Sequence, residues 1–577
     1  MARFLSPPPL CLVLLAAAVW RVAASPLSFV SGMHGQRHFG QHFQISMRQA
    51  FPSGCSSHFY NDQRLDHFSE SDDRTFSQRY IMCQQYAAPN DDAPALIQVG
   101  GEGPVSTDGL FLVTTGGGLM RNLNGVYIEL EHRYYGASYP AVLPNASTEN
   151  LQYLTPEQAL ADTKQFIEYI SNIVPQEPDM ISTPPLNLTY GMKNTRWAVT
   201  GGSYPGSLAA WMKEKYGDVI SGAISYSGPL SPQYDYHAFF TVLSDNMKNV
   251  DVDGSDACFN FWDDALNLYA SRWLDPNGKI PAPLKPCDDA ARNASYFLDN
   301  VIDDLLEALT GTQNVVDSVS GDQKKSNIRL SCMVADHNMR TKGGTWNALN
   351  WLVEKAFFND TVDPTASIPK RSCLNITTDD GDALSVVTWP ETPEEEATMA
   401  GRLWAYQYCH QFGYLEAFFG MDPQQEVPAW KVFNLFTSNT LEYKVNTTCA
   451  QYFEKNWTLE DVAAGVEATN SNFAGRQIQV TNVTFVNEGL DPWQMFGITP
   501  PGTPWHNYCP DPGNRTFCNQ NENLVPDGNS VLFVPLGSHC MSTIDLTPKS
   551  NQLNPKVLSQ WNAVNAKVLD NLRKYLS

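Results

Sequence analysis

The sequence has few basic residues for its length and, after its first two dozen residues, no long apolar run. Lysine and arginine together number 38 against 61 aspartates and glutamates, giving a formal charge of −23 over 577 residues. Such a surface repels phosphate backbones, so nucleic acid is not an expected partner. No later stretch approaches the roughly 18 uninterrupted apolar residues of a membrane span. Cysteine pairs with zinc-site spacing are also absent, and we expect no metal site.

The one long apolar run, residues 10–20, follows Arg3 and precedes small residues that end at Ala24. This order is typical of a secretory signal peptide, and we expect cleavage after Ala24. An uncleaved anchor is the alternative, but the run is shorter than the roughly 20 apolar residues that a span requires. Residues 25–54 are rich in Gln, His, Gly and Ser and are interpreted as a leader or propeptide-like segment. We therefore expect a protein of the secretory pathway, extracellular or lysosomal.

Acceptor sequences for N-glycosylation support the same route. One of them, Asn482, is expected to lie buried in a strand and is set aside. The remaining candidate acceptors are Asn145, Asn187, Asn293, Asn359, Asn375, Asn446, Asn456 and Asn514.

The cysteines are numerous enough to favour disulfides in an oxidising compartment. Removal of the signal peptide would leave eleven of the twelve, so one thiol has no partner. Closeness in sequence favours the pairs Cys55 with Cys83 and Cys509 with Cys518. The pairing of the six central cysteines is left open, and Cys540 is chosen as the free thiol.

Short apolar strands alternate with helical patterns from about residue 76 to 228. This alternation predicts an α/β fold with a mostly parallel sheet covered on both faces. The alternation then gives way to helical patterns, and strand patterns return at 478–486 and 531–536. An apolar stripe on a last helix from Pro555 is interpreted as core packing. The expected boundaries are a signal peptide 1–24, a leader 25–54, a first core part 55–229, a helical cap insertion 230–470 and a second core part 471–577.

The sharpest local motif is the segment 200–206, TGGSYPG, which a predicted strand enters and a predicted helix leaves. Small glycines permit the tight turn that lifts the Ser203 hydroxyl above a sheet edge, and the backbone amide of Tyr204 would face an oxyanion. The usual G-x-S-x-G motif has glycine where Pro205 stands here. An ordinary Gly-Ser turn before a helix is the alternative interpretation.

A nucleophilic serine needs a base, and the base needs an orienting acid. In α/β-hydrolases the acid and then the histidine follow the serine along the chain. His539 directly follows a predicted strand and is preferred to His506, which stands in a proline-rich stretch. Asp491 leaves the preceding strand and is the chosen acid, with Glu488 as the competing choice. A structural histidine and a turn-capping aspartate are the alternatives.

The second oxyanion donor is expected in the glycine-rich loop after the strand 95–99, with Gly101 as its amide. Glu102 in the same loop cannot stabilise an oxyanion. It would either bind a substrate amine or be held by Arg133.

These motifs resemble the serine peptidase family of lysosomal Pro-Xaa carboxypeptidase, dipeptidyl-peptidase II and thymus-specific serine protease. The resemblance implies an α/β-hydrolase core with a helical cap inserted before the acid strand. It also implies a Ser203–Asp491–His539 triad that needs no cofactor. The matching segments are 63–68, 76–80, 101–103, 131–136, 201–204, 208–211, 490–493 and 538–539, with Trp404, Tyr406, Gln407, Cys409 and 412–414 as a further partial match.

The resemblance further implies peptide substrates with proline before the scissile bond, and it makes a homodimer an expectation. Trp493 would line the proline pocket, since an indole face suits a pyrrolidine ring. Ser207 stands where the family often has a larger apolar residue, so the pocket would be reshaped. An esterase or lipase of the same fold is one alternative. An inactive peptide-binding homologue, with its turn disrupted by Pro205, is another. Which end of a peptide is trimmed stays open.

Overall fold

The computed structural model describes most of the chain outside its N-terminal segment. The predicted signal peptide, the leader, the Cys509–Cys518 pair and the acceptors Asn359, Asn375 and Asn514 lie outside the described residues. Those described are 55–105, 115–288, 292–312, 326–358, 372–374, 385, 387–420, 429–453, 455–503, 505–506, 527–543 and 554–577.

Eleven strands are present among the described residues. They are β1 Cys55–Arg64, β2 Thr75–Cys83, β3 Ala95–Val99, β4 Val126–Leu130, β5 Ser182–Thr183, β6 Trp197–Gly202, β7 Gly222–Tyr226, β8 Gln233–Asp235, β9 Gly413–Leu415, β10 Val483–Glu488 and β11 Ser530–Val534.

Nine of these strands form one sheet in the order β11-β10-β7-β6-β3-β4-β2-β1-β5. The six strands from β11 to β4 in that order are parallel, whereas the pairs β4–β2, β2–β1 and β1–β5 are antiparallel. Every residue of β4 and β7 is buried, as expected of parallel strands covered on both faces. The sheet has the α/β-hydrolase architecture that the sequence predicts.

The α-helices of the described chain cover this sheet and build the region between β8 and β10. They are α1 Thr115–Leu123, α2 Pro156–Ser171, α3 Tyr204–Lys215, α4 Ala238–Lys248, α5 Asp256–Leu274, α6 Ala294–Asn300, α7 Ile302–Thr310, α8 Asn327–Met339, α9 Gly344–Phe357, α10 Pro393–Gln407, α11 Leu441–Lys444, α12 Leu459–Phe473 and α13 Pro555–Tyr575.

Two apolar cores flank the sheet. Helices α2 and α3 contribute to one core, and α13 contributes to the other together with α4 and α5. The predicted stripe of α13 is buried at Val557, Trp561, Val568 and Leu572, so its interpretation as core packing is confirmed. The β8–β9 pair forms a separate small parallel sheet within the helical region.

Two predicted strands differ from the observed ones at their ends. The predicted strand 478–486 begins only at Val483, because Asn482 has φ +61°, outside the extended region. Asn482 is exposed, so the expectation that it lies buried in a strand is wrong. The strand predicted over 531–536 ends at Val534 because Pro535 has no amide for the ladder.

Four disulfides join described cysteines, and the predicted Cys55–Cys83 pair is one of them. Cys540 is free and buried, as predicted. Such disulfide content is typical of proteins that mature in the secretory pathway. No helix among the described residues is both long and apolar enough to cross a membrane. The other three bridges are Cys258–Cys332, Cys287–Cys373 and Cys409–Cys449.

Candidate active site

Ser203 occupies a sharp turn between β6 and α3. Its backbone has φ +66° and ψ −135°, a conformation that L-residues rarely adopt and that clusters at functional sites. The turn needs glycine on its strand side, because a Cβ on Gly201 would lie 2.2 Å from the Pro205 carbonyl oxygen. The Ser203 carbonyl accepts the Gly206 amide at 2.8 Å, so the helix starts directly after the serine. The geometry is that of a nucleophile elbow.

Pro205 fits this turn without disrupting it. It lies in the first turn of α3, where a missing amide removes no intrahelical hydrogen bond. Its ring packs against the loop after β3, where a Cβ on Gly101 would lie 2.4 Å from the Pro205 Cγ. Pro205 therefore joins the Gly101 loop to the serine turn.

His539 and Asp491 form a buried hydrogen-bonded ion pair. His539 Nδ1 lies 2.8 Å from Asp491 Oδ2, and the Trp493 amide donates to Asp491 Oδ1 at 2.8 Å. Their side chains are 2% and 0% exposed, so water does not weaken the pair. Burial lowers the pKa of His539, but the charge and hydrogen bond of Asp491, together with the Cys540 side chain, outweigh burial and raise that pKa well above its ordinary value.

The second ring nitrogen of His539, Nε2, takes no part in the contact with Asp491. Nε2 is buried and has no hydrogen-bond partner among the described residues. The serine turn and the His539 loop are in contact through the residues next to Ser203 and His539, because a Cβ on Gly202 would lie 3.0 Å from the Cys540 Sγ. The Ser203 amide donates to the Tyr226 carbonyl at 2.9 Å, and the Cys540 amide donates to the Ser227 hydroxyl at 3.1 Å. The end of β7 thus anchors both loops.

The alternative acid and base that the sequence offers, Glu488 and His506, have other hydrogen-bond partners. Glu488 bonds the Ser227 hydroxyl and the Ser542 amide, not His539. His506 Nδ1 lies 2.8 Å from the Thr499 carbonyl. The geometry therefore favours Asp491 and His539 as partners.

The two expected oxyanion donors flank the serine. The Tyr204 amide belongs to the first turn of α3, where amides have no intrahelical carbonyl to bond. Gly101 lies across Pro205 from it, on the loop that leaves β3. Both positions are those from which hydrolases of this architecture draw their oxyanion donors.

The Tyr204 side chain belongs to a buried network that sequence reasoning missed. The Tyr135 hydroxyl donates to Gln407 Oε1 at 2.6 Å, and Gln407 Nε2 donates to the Tyr204 hydroxyl at 3.3 Å. Tyr204 in turn lies 3.1 Å from His132 Nε2. Burial lowers the pKa of His132 to about 4. Its Nδ1 faces the Arg133 carbonyl, so Nε2 is the acceptor for Tyr204. Gln407 thereby connects α10 to the turn.

An aromatic cluster lies beside the histidine. The Trp493 ring is 4.6 Å from Tyr236 and 5.1 Å from Tyr414, measured between ring centroids. The same indole lies 6.4 Å from the His539 ring. The turn after β10, which positions Asp491, therefore also positions the flat apolar face of the Trp493 indole.

Glu102 is buried beside this centre without a cation. Its Oε2 has no hydrogen-bond partner among the described residues, and burial raises its pKa to about 7. The expectation that Arg133 holds it is wrong, because the guanidinium of Arg133 donates twice to Asp162, each time at 2.7 Å, and otherwise to backbone carbonyls. The charge of Glu102 interacts with His539, which places the carboxyl near the base.

Ser207 lies one turn into α3 and is 1% exposed. Its hydroxyl has no hydrogen-bond partner among the described residues. Among the described glycosylation candidates, the exposed side chains are those of Asn187, Asn293, Asn446 and Asn456, and Asn145 is half-buried.

Comparisons with known proteins agree with this geometry. The family model described as serine carboxypeptidase S28 matches residues 63–503. The thymus-specific serine protease of Mus musculus is 26% identical over 502 residues, covering 87% of this chain and 85% of that protein. The lysosomal Pro-X carboxypeptidase of Bos taurus is 26% identical over 460 residues, covering 76% and 78%.

Among solved structures, an esterase of Pyrobaculum calidifontis is 14% identical with a TM-score of 0.20, covering 34% of this chain and 50% of that one. The family match spans most of the chain and includes the serine turn and the Asp491 loop. The chain belongs to the serine carboxypeptidase S28 family and is a serine-type peptidase.

Proposed function

We propose that this peptidase is a prolyl-directed exopeptidase that works through an acyl-enzyme on Ser203, His539 and Asp491. One observation carries the proposal: the His539–Asp491 pair leaves Nε2 unbonded at the sheet edge where the strained Ser203 turn lies. Asp491 fixes the proton on Nδ1, so Nε2 is a free acceptor for a hydroxyl proton.

The reaction follows from these positions. Ser203 Oγ attacks the peptide carbonyl while His539 Nε2 takes its proton, and the amides of Tyr204 and Gly101 hold the oxyanion. His539 then returns the proton to the leaving amine as the C–N bond breaks. Water attacks the acyl-enzyme with His539 again as base, releasing the acid and regenerating Ser203.

The aromatic cluster supports proline before the scissile bond. A pyrrolidine ring is compact and apolar, and the Trp493 indole and the Tyr414 ring stand at 84° to each other, which forms a corner for such a ring. Ser207 is buried in the first turn of α3. Its small side chain would leave a differently shaped pocket than the larger apolar residue that the family often has at this position.

Glu102 supports recognition of a free N-terminus. A buried carboxylate oxygen without a partner is costly, and a substrate ammonium would remove that cost. With a pKa of about 7, Glu102 is mostly neutral at pH 5, so ammonium binding should strengthen by about 50-fold between pH 5 and pH 7. Glu102→Gln should abolish this dependence for a free-amine substrate and leave an N-acetylated substrate unaffected.

The proposed location is the lysosome or the extracellular space. The four disulfides agree with a secretory route, and the bovine relative is named as lysosomal. The homodimer implied by the family resemblance is proposed with it, and sedimentation of the mature protein tests it.

One peptide digest tests the function. The hexapeptide Ala-Pro-Gly-Phe-Pro-Ala carries proline in the second and in the penultimate position, and mass spectrometry follows the products of its free, N-acetylated and C-amidated forms. Release of Ala-Pro that N-acetylation blocks supports dipeptidyl trimming. Release of C-terminal alanine that amidation blocks supports carboxypeptidase action and contradicts the role of Glu102. Hydrolysis of p-nitrophenyl esters without peptide cleavage would establish an esterase. Ser203→Ala is the blank in every arm.

A further inference from the structure

The His539 loop is fastened to the sheet by a second buried carboxyl. Glu488 ends β10 and is 0% exposed. The Ser542 amide donates to its Oε1 at 3.2 Å, and the Ser227 hydroxyl donates to its Oε2. Because Ser227 also accepts the Cys540 amide at 3.1 Å, Glu488 secures the amides one and three residues after His539.

Cys540 and Ser227 have backbone conformations that are unfavourable without supporting contacts. Cys540 has φ +56° and Ser227 has φ +45°, and neither is glycine. Such residues persist only where surrounding contacts over-determine them. Glu488 fills the space under Gly537, where a Cβ would lie 2.6 Å from the Glu488 Cγ. The loop before His539 is therefore shaped around this side chain as well.

We propose that Glu488, acting through Ser227, is a positioning residue for His539, and that the activity of the site depends on the charge of Glu488. The inference rests on the proposed function, since it assigns a role relative to the triad base. Glu488 touches neither substrate nor the reacting atoms.

The titratable groups around Glu488 determine how its charge affects the protonation of His539. Asp491 faces it from its own loop, Tyr226 from β7, and Cys540 from the His539 loop. Burial, together with the negative charge of Asp491, raises the pKa of Glu488 to about 7, although the Ser227 and Ser542 hydrogen bonds oppose the rise. Ionisation of Glu488 would place a second negative charge near the His539–Asp491 pair. That charge would favour the imidazolium further and reduce the share of the neutral base that Ser203 needs.

The direction of the expected pH effect on activity follows from the two protonation states of Glu488. Below about pH 6 Glu488 is neutral, so Glu488→Gln, which is neutral at every pH, should match the wild type. At pH 8 the ionised form of Glu488 outnumbers the neutral form about tenfold, given a pKa of about 7. If only the neutral form is active, Glu488→Gln should be about tenfold more active than the wild type there.

The experiment measures kcat and KM on a prolyl peptide from pH 4 to pH 9 for the wild type, Glu488→Gln, Glu488→Ala, Ser227→Ala and the double alanine variant. The two single alanine variants should lose kcat by roughly 10- to 100-fold with KM little changed, because a misplacement of about 1 Å in a base can cost that much. The double variant should lose no more than either single variant, since both residues act through one connection. The matched control is Asp263→Asn, a buried carboxyl in α5 that accepts the Lys431 amide at 2.7 Å.

Superimposable pH profiles for the wild type and Glu488→Gln would overturn the proposal, as would losses of the two alanine variants that multiply. If Glu488→Ala fails to fold, the glutamine profile decides alone, because glutamine keeps both an acceptor and a donor. A wild type that cleaves no peptide and is not modified at Ser203 would instead refute the proposed function. The two failures are therefore distinguishable.

Discussion

Asp491→Asn gives a sharp test because the structure dictates which way the new amide must face. The Trp493 backbone amide donates to Asp491 Oδ1 at 2.8 Å, so the carbonyl oxygen of asparagine must occupy that position. The NH₂ group then faces His539 Nδ1, which the carboxylate contacts at 2.8 Å in the native protein. A donor at this place makes Nδ1 an acceptor and moves the ring proton to Nε2, where it blocks uptake of the Ser203 proton.

The expected loss is large. A wrong tautomer in a serine–histidine–aspartate triad lowers kcat by about 10⁴, or about 5 kcal/mol of transition-state stabilisation. KM should change little, since Asp491 is fully buried and does not reach substrate. The assay is steady-state hydrolysis of a prolyl peptide, combined with the rate of fluorophosphonate labelling.

The matched control is Asp235→Asn. Asp235 pairs with His237 Nδ1 at 2.7 Å and its side chain is 4% exposed, so the variant removes the same charge from a pair of similar geometry. Activity of Asp491→Asn within tenfold of the wild type, or an equal loss in both variants, would refute the role assigned to Asp491.

Three further outcomes follow from the structure. Gly101→Ala should reduce kcat and destabilise the fold by about 1–3 kcal/mol, because its Cβ would lie 2.4 Å from the Pro205 Cγ; unchanged kcat and melting temperature would contradict this. Thr392→Ala removes the capping box of α10 and should lower the free energy of unfolding by about 1 kcal/mol in urea titrations while kcat stays constant. The pKa of Glu102 rises from about 4.5 to about 7 on folding, so its contribution to stability is complete below pH 4.5 and falls by up to about 3 kcal/mol as the pH rises to 7. Glu102→Gln should therefore reduce the fall in melting temperature over this pH range. An unchanged dependence of melting temperature on pH would contradict this prediction.

The order of the three proposed triad residues and the strands that precede them can be predicted from the sequence because each has a local pattern. The TGGSYPG turn, the strand before Asp491 and the strand before His539 each have their own pattern of glycine, apolar and polar residues. Parallel strands then bring their carboxyl ends to one edge, which is why residues 288 and 336 positions after Ser203 meet near it. Strand ends are less readable, since the positive φ of Asn482 depends on its surroundings.

Contacts between distant segments could not be read in the same way. Glu131 lies two residues before Arg133 in the sequence, yet the fold pairs Arg133 with Asp162 rather than with Glu131 or Glu102. The contact between Gln407 and Tyr204 joins the helical region to the serine turn, and no residue pattern in the sequence predicts it. Glu488 is visible in the sequence as an acid near Asp491, but its bonds to Ser227 and Ser542 depend on packing three strands together.

The most direct measurement of the central claim is the site of covalent modification by a fluorophosphonate. The mature protein is treated with the probe, digested and examined by mass spectrometry, beside Ser203→Ala and the neighbouring Ser207→Ala. The account predicts one modified peptide containing Ser203, retained in Ser207→Ala and lost in Ser203→Ala. Modification that persists in Ser203→Ala, or an active protein whose Ser203 stays unmodified, would contradict it.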